Sequence, residues 1–116
     1  MEIINLTPHN IKISYNVHKK IVIAQGRDIA RAVFETQYIN TVNNIPIHMR
    51  RVKKLQGLPK KLKKDAIYIV SSIFQQSIDE DMADSYHIYS PDTLSESWIS
   101  DGGDTWEVSR LAKFER

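Results

Sequence analysis

Ala66-Ile67-Tyr68-Ile69-Val70-Ser71-Ser72 is the stretch on which the fold turns. Its first five residues are β-branched, aromatic or small, with no polar break, which is the pattern of a strand covered on both faces rather than one. Ser71 or Ser72 then serves as N-cap for a short helix over residues 73–78, whose apolar positions Ile73, Phe74 and Ile78 share one side. Asp79-Glu80-Asp81 falls at the carboxyl end of that helix, where its dipole disfavours anions, and so helps to stop it. Tyr86-His87-Ile88-Tyr89 follows as a second strand, closed by Ser90-Pro91-Asp92-Thr93. Strand, helix and strand in this order predict a βαβ crossover with the two strands parallel.

Outward from this unit the chain is mostly short strands. Glu2-Ile3-Ile4-Asn5-Leu6 reads as a strand ended by Thr7-Pro8, because proline pushes the residue before it to extended geometry. Ile11-Lys12-Ile13-Ser14-Tyr15 alternates apolar and polar, and Lys20-Ile21-Val22-Ile23 is its hairpin partner across a polar turn. Residues 30–36 alternate again; a short helix over 27–34 is the competing reading. Val42-Asn43-Asn44-Ile45-Pro46-Ile47 predicts a turn and then an edge strand, since Pro46 cannot donate to a ladder. Residues 48–64 are strongly basic around the turn Gly57-Leu58-Pro59, and read as a solvated strand followed by an exposed basic loop. Trp98-Ile99 and Thr105 to Leu111 flank Asp101-Gly102-Gly103-Asp104, a strong hairpin signal. The expected architecture is a single α+β domain over residues 1–116, with a mixed, mostly antiparallel sheet, one βαβ unit and a C-terminal hairpin.

Bulk properties narrow the function classes. A chain of 116 residues with 41% apolar content can bury one core without covalent staples. It has no cysteine, which removes disulfides and thiolate metal sites and suits a reducing cytoplasm. The amino-terminal residues lack the order of a signal peptide, and no apolar run approaches the ~20 residues of a membrane span, so a soluble protein without membrane partners is expected. Charge is unevenly spread. Residues 1–64 hold 13 of the 16 Lys/Arg and 3 of the 14 Asp/Glu, a balance of +10, while residues 65–116 balance at −8. That asymmetry suits two opposed faces of one fold, or pairing between subunits of a homo-oligomer.

The candidate site follows from the βαβ reading. Open sheets with parallel strands bind ligands beyond the strands' carboxyl ends. Ser71 and Ser72, with Ser90, Asp92 and Thr93, lie at that edge, and Thr7 and His9 join them if the first strand is also parallel. Free N–H groups at the helix start would seat a phosphate, Arg50 and Arg51 would add charge, and Tyr68 or Tyr89 a stacking face. Asp92 could accept from a ribose hydroxyl or orient His9. Each element also has a plainer role: Ser71 as a cap, Asp92 as a turn former, His9 as a structural ring. The four histidines show no metal-ligand spacing and no phosphate-cradling or nucleophile motif occurs, so neither metal, cofactor nor catalytic residue is assigned.

Asn5-Leu6-Thr7-Pro8-His9, Gly57-Leu58-Pro59, Ile67-Tyr68-Ile69-Val70-Ser71 and Ser90-Pro91-Asp92-Thr93 together resemble a family of small, largely uncharacterised proteins of phages, prophages and bacteria. The resemblance implies a phage or mobile-element setting within the bacterial cytoplasm, where small accessory proteins without catalytic machinery counter host defence. By analogy, some of these sequester nucleotide signals. The leading expectation is therefore a non-enzymatic accessory protein that binds a small phosphorylated, nucleotide-like ligand, with a homo-oligomer completing the pocket. A second reading is an inhibitor that binds nucleic acid or a host protein through the basic 48–64 segment, with Lys60, Lys61, Lys63 and Lys64 foremost. A third is a small nucleotide hydrolase with His9 as base and Asp92 as its orienter, which requires the two side chains to meet.

Overall fold

The computed structural model describes residues 1–94 and 97–115. Within them the fold is a small mixed α/β arrangement, dominated by strand and built from several sheets. The first sheet contains β1 (Glu2–Asn5), β6 (Ala66–Ile69), β7 (His87–Pro91) and β10 (Leu111–Ala112), in that order. β1 runs parallel to β6, with Glu2 beside Ala66 and Asn5 beside Ile69, and β6 runs parallel to β7, with Ile67 beside His87. β10 closes the sheet antiparallel to β7. A second sheet has the order β3 (Lys19–Ile23), β2 (Asn10–Asn16), β9 (Thr105–Val108) and β8 (Trp98–Asp101).

Alternation along the central strand explains the layering. Ala66, Tyr68 and Val70 point into a cluster with Phe74, Ile78, Ala83 and Ile88, which carries the helical side of the molecule. Ile69, with Ile67 packed alongside, belongs to a second cluster with Ile11 and Ile13 of β2 and Val108 of β9. The first sheet is therefore sandwiched between the helices and the second sheet, and its central strand is covered on both faces as its composition requires. Tyr68, Ile69, Val70 and Phe74 are each 1% exposed or less. Burying a side chain of this kind stabilises the fold by about 1.5–3 kcal/mol.

The crossover from β6 to β7 holds two helices rather than one. α1 spans Ser72–Ser77, one residue earlier than the sequence suggests. Asp79-Glu80-Asp81 does more than end it: Asp79 caps α2 (Glu80–Ser85), its carboxylate accepting from the Met82 N–H at 2.7 Å. Glu80 and Asp81 occupy the first turn of α2. There the positive end of the helix dipole favours them, and the same charges that disfavour the end of α1 start the next helix.

Residues 30–56 depart furthest from expectation. The helical alternative over 27–34 does not form. Instead β4 (Arg31–Val42) and β5 (Ile45–Gln56) make a separate two-stranded antiparallel sheet, each strand 12 residues long. The two-residue turn between them has Asn43 at φ 49° and Asn44 at φ 65°. Both are left-handed, as a tight hairpin whose twist matches its strands demands, and asparagine tolerates that region. The expected strand over 30–36 and the edge strand at Ile45 to Ile47 are the base and tip of one long arm. The basic segment divides into β5 and an exposed loop after Gly57. Only the base of the arm packs on the body, where Leu55 meets the helical cluster. The radius of gyration is 16.3 Å and the longest dimension 53 Å, against roughly 13 Å expected for a compact chain of this length.

The C-terminal hairpin forms across Gly102-Gly103, with Gly103 at φ 80°. It does not extend the first sheet. β9 pairs parallel with β2, Ile11 beside Trp106, and the predicted strand over 105–111 breaks into β9 and β10, which serve different sheets. No helix among the described residues is long and apolar enough to cross a membrane.

Gly57 anchors the arm to the body. Its φ is +96°, and a Cβ there would stand 2.0 Å from the Ile29 carbonyl oxygen and 2.9 Å from the Ala30 Cα. Both obstacles are backbone, so neither can rotate away. Gly57→Ala should therefore destabilise the fold by at least about 2 kcal/mol, read as a lowered urea midpoint.

Candidate functional site

β1, β6 and β7 all point their carboxyl ends the same way, and a cavity of about 440 Å³ opens beyond them. Thr7, Pro8 and His9 line it from the end of β1, Ser71 and Ser72 from β6 and α1, and Pro91 and Thr93 from β7. Trp98 of β8 and Trp106 of β9 supply the remaining wall. The first strand is parallel, which was the condition for His9 to share the rim.

A buried asparagine shapes the first of these segments. Asn5, 3% exposed, donates from Nδ2 to the His9 carbonyl at 2.7 Å and to the Ile23 carbonyl at 3.1 Å. Its Oδ1 accepts from the Thr7 N–H at 3.0 Å and from the Thr7 hydroxyl at 2.7 Å. The Thr7 Oγ1 in turn accepts from the His9 N–H at 3.3 Å. With Pro8 fixing its own φ, this network folds Asn5 to His9 into a rigid hook. The hook presents the His9 ring flat against Trp106, centroids 4.0 Å apart and planes 18° from parallel. Trp106 meets Trp98 edge-on at 5.5 Å. The cavity thus has an aromatic wall with hydroxyls of Thr7, Ser71, Ser72 and Thr93 around it.

Ser71 keeps its plainer role as well. Its hydroxyl accepts from the Phe74 N–H at 3.3 Å and caps α1. α1 is only six residues long, so the phosphate seat expected at its start has little dipole behind it. Ser72 is exposed at the rim.

Asp92 and Ser90 are buried beneath the rim and do not line the cavity. Ser90 donates to the Ala112 carbonyl at 3.5 Å and helps dock β10. Asp92 accepts from Arg110 Nε at 2.7 Å, from the Ser97 hydroxyl at 3.1 Å and from the Leu94 N–H at 3.1 Å. The Arg110 guanidinium holds its carboxyl below the usual carboxylate range; the Leu94 and Ser97 donors add to this, while burial opposes it. Asp92 therefore ties the end of β7 to the β9–β10 connection, where its backbone N–H also reaches the Arg110 carbonyl at 3.1 Å. Among the described residues no hydrogen bond joins His9 to Asp92, the contact on which the third reading depends.

Arg50 and Arg51 lie on the projecting arm and not at the cavity. Arg51 pairs with Glu35 across the hairpin, and the Arg50 guanidinium sits 4.7 Å above the Phe34 ring. The two tyrosines considered for stacking are also engaged elsewhere: the Tyr68 hydroxyl accepts from the Lys63 N–H at 2.8 Å, and Tyr89 bonds His87 Nδ1 at 2.8 Å. The aromatic side chains that line the cavity with His9 are Trp98 and Trp106. The sequence marks them only as hairpin residues. The signal that could have found them is the parallel pairing of β2 with β9, which carries the C-terminal hairpin to the end of β1. No group of three His, Cys, Asp or Glu lies close enough among the described residues to hold a metal ion.

No family model, curated protein or solved structure matches the chain.

Asp92 yields a signed prediction. Because its folded pKa is depressed, its contribution is complete above the ordinary carboxylate value of 3.8 and is lost as pH falls through the folded value. Asp92→Asn should cost about 1–3 kcal/mol near neutrality, and the gap between variant and wild-type urea midpoints should narrow as pH falls below the ordinary carboxylate value of 3.8. A gap that stays constant with pH contradicts the ionic role.

Proposed function

We propose that the protein binds a small ligand bearing a planar ring, nucleotide-like in chemistry, and holds it without chemical conversion. One observation carries this reading: the ends of three parallel strands meet two tryptophans and a stacked histidine around one cavity of about 440 Å³. That volume lies in the ordinary range for small-molecule sites, which are apolar with a few well-placed polar groups. A base or similar ring would pack on the aromatic wall, where stacking contributes about 1–3 kcal/mol per base. The Ser72 and Thr93 hydroxyls at the opening suit a ribose. Phosphate groups would extend past them toward solvent, since Arg50 and Arg51 lie elsewhere. Recognition on this account is carried by the ring more than by the phosphate.

Retention without turnover follows from how the polar groups are employed. His9 is stacked and held by its backbone, Asp92 is committed to Arg110 and Ser97, and Ser71 caps a helix. A role in a phage-type setting, sequestering a nucleotide signal in the bacterial cytoplasm, rests on the resemblance of the Asn5 to His9, Gly57 to Pro59, Ile67 to Ser71 and Ser90 to Thr93 segments to phage and prophage proteins.

The test uses the chain's own reporters, for both of its tryptophans line the cavity. Titration with nucleosides, nucleotides, cyclic dinucleotides and ADP-ribose derivatives should give saturable quenching with at least one of them. Ligand released by heat should be chemically intact. Thr93→Trp, an exposed position on the rim, should reduce affinity by about tenfold or more without altering thermal stability. Altered ligand supports an enzyme. Absence of quenching together with salt-sensitive retention of nucleic acid, lost on replacing Lys60, Lys61, Lys63 and Lys64, transfers the function to the basic segment.

A further inference from the structure

The arm formed by β4 and β5 has two outer edges, and they are built differently. β5 carries Pro46 and the cations Arg50, Arg51, Lys53 and Lys54 with no acidic residue. Those are the devices by which an edge strand resists pairing. β4 has neither lysine nor proline, and its two charges, Arg31 and Glu35, cancel. It offers an unpaired edge from Arg31 to Tyr38, interrupted at Ile39, the extra residue where the register shifts between Tyr38 and Asn40. Across the two strands a hollow of about 290 Å³ is lined by Glu35, Thr36, Gln37, Met49 and Arg51. Beyond it the tip is apolar and open, with Ile39 49%, Val42 51%, Ile45 60% and Met49 59% exposed.

We infer that the β4 edge pairs antiparallel with the β4 edge of a second copy of this chain, giving a four-stranded sheet β5–β4–β4–β5 across a two-fold axis. Charge selects the occupant. Two β5 edges would bring eight cations together, four from each copy. Two β4 edges meet without net charge. A two-stranded sheet is marginal in water by itself, and four strands are not. Antiparallel self-pairing centred on Glu35, Thr36 or Gln37 sets Val42, at the tip of one arm, beside residues 28–32 at the base of the other. A two-fold axis through such a pair sets one β4 residue opposite its own copy, because opposed side chains share a face of the sheet. The inference is independent of what the cavity binds.

The chain has no cysteine, so single substitutions report this pairing directly. Light scattering at up to about 100 µM should give twice the 13.4 kDa chain mass. Among Glu35→Cys, Thr36→Cys and Gln37→Cys, oxidation should link copies most efficiently at one position, with lower yield at its neighbours, whereas Lys53→Cys and Lys54→Cys should not link. Thr36→Lys combined with Gln37→Lys should weaken association by at least about tenfold while leaving the far-UV spectrum of the monomer native-like. A monomer throughout that concentration range overturns the inference. So does a dimer indifferent to the paired lysines, or one that links through β5.

Discussion

The parallel pairing of β1, β6 and β7 is the constraint from which the rest of the molecule follows. Parallel strands need crossovers, and a central parallel strand needs cover on both faces. α1 and α2 meet the first need and cover one face. The second sheet covers the other, through Ile11, Ile13 and Val108 packed on Ile69. Because all three strands run the same way, all three carboxyl ends emerge together. The loops that leave them have nowhere to go but around a common opening. The cavity is thus a product of topology before any side chain is specified.

Polar residues at the strand ends then separate scaffold from lining. Asn5 commits its amide to the turn from Thr7 to His9 and to Ile23 of β3, and Asp92 commits its carboxylate to Arg110, Ser97 and Leu94. Both are buried and satisfied, as buried polar groups must be if they are to rigidify rather than destabilise. What remains facing the opening is aromatic and hydroxylic. Preorganisation of this kind lowers the ordering cost of binding.

Legibility in the sequence tracked locality. The 66–70 run announced a doubly covered strand because its neighbours in space dictate its composition directly. The turn at Asn43-Asn44 and the Gly102-Gly103 hairpin were visible because left-handed backbone restricts residue choice. The rim segments at Thr7 to His9, Ser71-Ser72 and Thr93 were found from strand ends alone. The long arm was not, since Thr36 to Val42 and His48 to Arg51 are exposed on an extended hairpin and owe no periodicity to a core. Arg50 and Arg51 were attributed to the site on charge, a property that says nothing about distance. Asp92 follows Pro91 at a strand end in either role, as rim acceptor or as buried lock, and only the long-range partner Arg110 distinguishes the two. Trp98 and Trp106 escaped because only the long-range pairing of β2 with β9 brings them to the opening.

The meeting point of the three parallel strand ends is the proposed binding site, and a two-dimensional NMR titration of the labelled protein with the tightest nucleotide-like ligand locates it. Shift changes should concentrate on the indole N–H groups of Trp98 and Trp106 and on the backbone amides of Thr7, His9, Ser71, Ser72 and Thr93. Changes confined to Arg50 through Lys54 or Lys60 through Lys64, with both indoles unmoved, would contradict it.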